Sequence, residues 1–367
     1  MERAKLTGWQ MFTLTYLFTI GTSFILMIGE LVSDAKQFSW VVLLWSGAAG
    51  LAPAWLWLRL YGRFPGRSLV QIAIDVFGKW GGGVVAALYV WYFIQIAGWT
   101  ARILSDFMSI NLMPRTPLTA FNLVLLAVCA YAVVKGIEAI AMVGELVVGY
   151  IVLAYWLTMT IMFREWEWAN FGVPFDFELW RIVAETKYMT AIPFMEPIAL
   201  AMLFPYVQRR LHAAFLGGLA SAVVVLAAGM YCTIGILGVN RASHLLYPFF
   251  VLFREVELFG FLEHFEAIIA VNILLLVCVK LSIAMYCAVS GVCQLFELRS
   301  RASVAYPMIW IVSAYALLFA NVTEQIHWFE RYAFGYFAAY AVVLPLLLLA
   351  VARLRGARRA PTGGTAP

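Results

Sequence analysis

The sequence predicts an all-α integral membrane protein of about ten transmembrane helices, folded as a five-plus-five inverted repeat. Three observations predict it. First, 64% of the 367 residues are hydrophobic and only 12% are charged, against about 25% charged in a soluble domain. Second, runs such as 147–163 and 340–351 are apolar on every side, and a helix without a polar face has to be solvated by lipid or by other such helices. Third, an element recurs. Phe64-Pro65, then a short amphipathic run ending at Phe77-Gly78, follows the second apolar segment; Tyr247-Pro248, then a similar run ending at Phe259-Gly260, follows the seventh. An odd number of crossings separates the copies, so the second is inverted in the membrane.

About 20 apolar residues cross a bilayer core. On that rule the spans fall at 9–31, 38–60, 82–112, 118–134, 137–163, 189–207, 211–239, 265–295, 306–320 and 329–352. The first is not a cleaved signal peptide, because its apolar part runs from Trp9 to Leu31, longer than an h-region of about 7–15 residues. The third and eighth, at ~1.5 Å per residue, are about 46 Å long and must tilt or protrude. Residues 1–352 form a single transmembrane domain, with a first repeat over 9–163 and a second over 189–352. The Gly-, Pro- and Ala-rich tail 353–367 reads as disordered.

Charge sets the orientation, because short cytoplasmic segments hold an excess of Lys and Arg. With the N-terminus inside, the inner segments take Arg59, Arg63, Arg67, Arg209, Arg210, Arg299, Arg301 and the closing run from Arg353 to Arg359, while the acid-rich connections 164–188 and 240–264 lie outside. Both termini are then cytoplasmic, in a multi-pass protein of the cell membrane. The formal net charge of +5 reflects this orientation, and nucleic acid is not an expected partner. The five cysteines sit inside apolar runs without a C-x-x-C pair, and the four histidines are scattered in or beside connections. No dinucleotide, Walker or H-E-x-x-H motif occurs. No catalytic residue, metal site or cofactor is expected, and the chain does not read as an enzyme.

In an inverted-repeat transporter the site lies near the midplane, on helices interrupted at corresponding places of the two halves. Span one carries Gly21, Thr22 and Ser23 at its centre. Unwinding there would offer N–H and hydroxyl donors at a helix terminus, where the dipole favours a carboxylate. Span six reads Pro193-Phe194-Met195-Glu196-Pro197, and its two prolines remove two backbone donors and disfavour helix before them. The plainer reading of both is a kink in an ordinary buried helix. On the functional reading the substrate-binding residues are Gly21, Thr22, Ser23, Phe194, Met195 and Glu196. Glu196 would meet an amine or order the break, and Phe194 and Met195 would shape the apolar side.

A charge near the bilayer centre costs about 3 kcal/mol even on insertion scales, so each one needs a reason. Lys280 lies at the middle of span eight, and Glu145 about 12 Å inside the inner end of span five; both are candidates for ion or proton coupling. The competing reading for Lys280 is a permanent ion pair with Glu196 or Glu145, and for Glu145 a hydrogen bond between packed helices. Arg102 and Asp106 are i and i+4 on span three, so they share a face and can pair. They are candidates for the outer pathway, as a salt bridge lining it.

The stretch Ile20-Gly21-Thr22-Ser23-Phe24-Ile25 resembles the I-G-[ST]-G-I-F element of the amino acid–polyamine–organocation (APC) permeases, with Ser23 in place of the second glycine. Phe194-Met195-Glu196 resembles their G-F-E, with Phe194 in place of the glycine. The resemblance implies a LeuT/APC-like fold whose unwound first helix holds a substrate carboxylate. It also implies a cation site between the first and eighth helices, where the Lys280 ammonium would replace the metal ion. Within that superfamily nearly the whole chain resembles the B subunit of GerA-type spore germinant receptors. The likeness rests on Arg63-Phe64-Pro65-Gly66 after span two, the Tyr247-Pro248 pair and the run 261–266 before span eight, and the K-[IL]-S-I-x-x-Y run over 280–286. It implies a protein of the spore inner membrane that binds a small germinant, such as an amino acid, and signals germination. Its implied partners are a receptor A subunit and a lipoprotein C subunit. The alternatives are a proton-coupled amino-acid permease and a structural membrane subunit with a vestigial pocket.

Overall fold

The computed structural model describes residues 4–25, 28–172, 179–254 and 265–355. Every expected span has a helical counterpart among them, and the one strand-like feature is a single parallel bridge between Leu6 and Val207. Among the described residues seven helical stretches are long and apolar enough to cross a membrane by themselves, as in a multi-pass membrane protein. The exceptions are the instructive ones.

Span one begins at the helix Gly8–Ile20. Thr7 and Gln10 form a capping box: the Gln10 N–H donates to the Thr7 hydroxyl, and the Thr7 N–H donates to the Gln10 side chain, so orphan donors of the first turn are satisfied. The helix stops at Ile20, 21–25 are turns, and helix resumes over Ile28–Ala35. Span six is broken more severely. Only Tyr188–Ala191 is α-helical; Glu196–Met202 and Phe204–Tyr206 are 3₁₀ segments, each with a proline in its first turn. A 3₁₀ run of that length is uncommon and marks a hinge or a strained stretch. Prolines supply the reason, since each removes a donor that an α-helix would need.

The recurring element is visible in the first half. Span two, Ser39–Arg63, is followed by a helix that is continuous from Leu69 to Asn111 only in name. Gly78 has φ 80°, a conformation open to glycine and costly for other residues, so 69–77 is a short helix set at an angle to span three. In the second half the helix Pro248–Arg254 holds the corresponding place before span eight, Phe265–Leu295. Phe259-Gly260, most of the run 261–266 and the tail from 356 onward lie outside the described residues. Spans four, Leu118–Lys135, and five, Ile137–Met162, flank Gly136, and span seven is Leu211–Leu237.

Two spans are displaced by several residues from the expected bounds. Span nine is Ala302–Ala316, a few residues early, and span ten starts at Val322 rather than 329. The first turns of span ten are polar, which hides them from a hydropathy criterion. They are helical because the Asn321 side chain accepts from the Glu324 N–H at 2.8 Å, an N-cap. In the assembled bundle spans three and eight lie along each other. The first half of span one packs against spans five, seven and eight, and the 3₁₀ part of span six touches spans one, two, three and eight. Both interruptions therefore face the same interior.

Candidate functional site

Lys280 is completely buried, and its ammonium bridges the two interrupted spans. Nζ donates to Glu196 Oε2 at 2.5 Å and to Thr22 Oγ1 at 2.8 Å, and it lies 5.4 Å from the centroid of the Phe18 ring. The two charged side chains are 1% and 7% exposed. A buried charge is tolerable only when paired and hydrogen-bonded, and here each end of the pair comes from a different helix. Of the two carboxylates considered for Lys280, the structure selects Glu196.

The glycine in span one is required by this approach. A Cβ on Gly21 would stand 2.7 Å from Cδ and 2.8 Å from Cβ of Lys280, closer than real carbons come. The donors expected at the break are largely spent inside it. The Gly21 N–H donates to Leu17 O at 2.9 Å, the Ser23 N–H to Ile20 O at 2.8 Å, and the Ser23 hydroxyl to Thr19 O at 2.7 Å. Thr22 is the residue of the three whose side chain engages the charge pair. In span six Phe194 packs toward span two. It is fully buried, and its Cβ meets Gly50 of span two, where an added Cβ would stand 2.4 Å away. Met195 is buried next to it, and Cys287 of span eight points its thiol at Ala199 O, 3.3 Å away.

A group of aromatic residues completes the surroundings and was not singled out from the sequence. The Tyr92 phenol of span three lies within electrostatic reach of Glu196, and its oxygen is buried without a hydrogen-bond partner among the described residues. Its ring stacks on Tyr340 of span ten at 4.5 Å. Tyr336 donates to Gln95, and Gln95 Nε2 donates to Tyr315 at 2.8 Å. The signal was present as Tyr89, Tyr92, Gln95 and Trp99, spaced at three to four residues along one face of span three. An aromatic stripe at helical spacing does not separate a site from a core.

The remaining candidates fall elsewhere. Glu145 does not meet Lys280; it accepts from Gln10 Nε2 at 3.2 Å. With Glu138, which accepts from the Lys5 N–H at 2.7 Å, it ties the N-terminal segment to span five. The same segment pairs with the end of span six, Leu6 N–H to Tyr206 O and Gln208 N–H to Leu6 O. Arg102 and Asp106 do pair, at 2.7 Å, and are 2% and 5% exposed. The guanidinium also donates to the carbonyls of Ala316, Phe319 and Ala320, so the pair clamps the end of span nine. Among the described residues no group of His, Cys, Asp and Glu has the arrangement of a metal site.

A helical bundle whose first and sixth spans break around a shared buried charge pair is a membrane protein of the LeuT-type, transporter-like fold. It is similar to Mhp1, a nucleobase-cation-symport-1 family transporter (TM-score 0.66, 13% identity, 96% of this chain and 79% of that one). It is also similar to a Na⁺-coupled sialic acid symporter (0.65, 11%, 97% and 85%) and to MhsT in complex with L-phenylalanine (0.61, 12%, 96% and 99%). Residues 5–325 match the model of the spore permease family, the spore germination proteins, and the chain belongs to that family. Spore germination protein KB of Bacillus subtilis (strain 168) is 26% identical, with 99% of each chain covered. Spore germination protein YndE of the same organism is 23% identical over 90% of this chain and 92% of that one. Spore germination protein A2 is 22% identical over 78% and 79%. The resemblance read from the short motifs is borne out, and family and fold are those of permease-like membrane proteins rather than enzymes.

Proposed function

We propose that this protein is a germinant-sensing subunit of the spore inner membrane that binds a small germinant such as an amino acid and signals germination. On this reading it acts with a receptor A subunit and a lipoprotein C subunit, both termini are cytoplasmic, and the two repeats run over about 9–163 and 189–352. The observation that supports it is the Lys280–Glu196 pair at the meeting of the two breaks. A zwitterion carries the same two charges. It can take the place of the internal pair, its carboxylate on Lys280 and Thr22 and its ammonium on Glu196, without leaving a buried charge unpaired. Gly21 and Ser23 would line the carboxylate end, and Met195 the apolar side. Full-length similarity to a spore germination protein favours sensing over transport.

Titration calorimetry of the full chain in nanodiscs with amino acids, nucleosides and sugars tests the reading. An amino acid should bind, and Lys280→Met and Glu196→Gln should each weaken it at least tenfold. Ser23→Leu should abolish the germination response at an unchanged protein level. Binding indifferent to both charge substitutions would remove the site from this place. The second reading, a proton-coupled amino-acid permease, is favoured by the fold alone. Uptake of radiolabelled ligand into proteoliposomes, driven by a pH gradient, would establish it.

A further inference from the structure

A groove of about 920 Å³ lies between spans two and ten, away from the charge pair. Its walls are Ala52, Pro53 and Leu56 on one side and Val342, Leu346 and Leu349 on the other. Small residues and a proline leave it concave. Span ten is locally a π-helix over Ala339–Val343, a widened turn of the kind found at functional places. Trp57 Nε1 donates to the Ala341 carbonyl of that turn at 2.6 Å, which pins the two spans together behind the groove. The groove is thus a fixed feature rather than a gap between loosely apposed helices.

One end of the groove is basic: Arg59, Arg63 and Arg353 line it. None of the three pairs with a carboxylate among the described residues. Arg59 instead lies over the Trp55 ring, 3.3 Å from its centroid. Asp75, an acid at this end of the bundle, is taken by Arg67 at 3.2 Å. The other end opens onto lipid-facing surface, where Val343, Leu346 and Leu347 are about half exposed.

We propose that this groove binds an anionic phospholipid, its phosphodiester head group on Arg59, Arg63 and Arg353 and an acyl chain along the apolar walls. Three guanidinium groups around one mouth repel one another until an anion joins them. Guanidinium also matches phosphate oxygens with paired hydrogen bonds. A free anion would have no use for the apolar walls, and an uncharged lipid none for the arginines. Trp55 belongs at that boundary, where an amphipathic ring sits at head-group level. Basic pockets between transmembrane helices at a cytoplasmic surface hold anionic head groups in the same manner.

Native mass spectrometry of the full chain in detergent, with dioctanoyl-phosphatidylglycerol, dioctanoyl-phosphatidylcholine and inorganic phosphate as probes, tests this. One phosphatidylglycerol should bind at least tenfold more tightly than phosphatidylcholine, and millimolar phosphate should not displace it. The triple change R59Q/R63Q/R353Q should remove that preference, at about fivefold per arginine, while R209Q/R210Q/R299Q should preserve it. Ala52→Trp fills the apolar wall at an exposed position without touching a charge, and it should also lower phosphatidylglycerol binding. Equal binding of the two lipids, an unaffected triple variant or an unaffected Ala52→Trp would each overturn the proposal. Displacement by phosphate alone would reduce the groove to an anion site and overturn the lipid assignment.

Discussion

Two buried ion pairs among the described residues of the membrane-spanning bundle are built on opposite plans. Arg102–Asp106 lies within one helix, and its guanidinium spends its remaining donors on three carbonyls at the end of span nine. The Ala316 carbonyl closes the helix of span nine, and those of Phe319 and Ala320 belong to the turn that follows it; helix ends leave such carbonyls without an intrahelical partner, so the pair is a clamp on that end. Lys280–Glu196 joins two helices across an interruption in one of them, and the ammonium has a hydroxyl of the other interrupted helix as its second partner. Each of its partners is a single side-chain group that a ligand can imitate. Burial is nearly equal in the two pairs and so does not mark a site. What separates them is whether the partners can be exchanged.

The sharpest way to break that contrast is to remove one charge at a time. Lys280→Ala or Glu196→Ala leaves a buried charge unpaired and should cost about 3–5 kcal/mol of stability, read as a large fall in melting temperature in detergent. The double variant Lys280→Met/Glu196→Gln should recover most of that stability and still fail to respond to germinant. A normal dose–response in the stable double variant would falsify the exchange mechanism.

Gly21→Ala comes next. The added carbon must push Lys280 aside, and overpacking of this kind costs about 1–3 kcal/mol. Thermal unfolding should show the loss, and the half-maximal germinant concentration should rise with it. An unchanged response would mean that the Lys280 position is not critical. Smaller still is Arg102→Lys, which keeps the charge and loses the fork. Stability should fall by about 1 kcal/mol, with the germinant concentration dependence unmoved; a shifted midpoint would erase the distinction between the two pairs. The last expected effect is none at all. If the Lys280 ammonium stands where a cation would sit, replacing sodium by potassium should leave ligand binding unchanged in calorimetry. A sodium requirement would leave Lys280 as a structural partner only.

Much of this was legible because it is local. Composition and all-round apolarity identify membrane helices, since lipid solvates side chains regardless of what lies across the bundle. Pro193 and Pro197 announce the break in span six because a missing N–H is a property of the residue itself. Gly21 marks the break in span one, and Arg102 and Asp106 announce their own pairing, because residues four apart on a helix are always neighbours. The polar start of span ten was missed for the converse reason: its helix is set by the Asn321 cap rather than by hydropathy. What only the tertiary structure decided are the relations between segments distant in the chain. Lys280 chose Glu196, 84 residues away, over Glu145, which went to Gln10. Phe194 packs against Gly50 of span two, and Tyr92 came within electrostatic reach of Glu196 with Tyr336 against its ring, from two other spans. Periodicity says which face of a helix is buried. Which helix lies against that face is settled by the fit of all the helices at once, and no single segment carries that information.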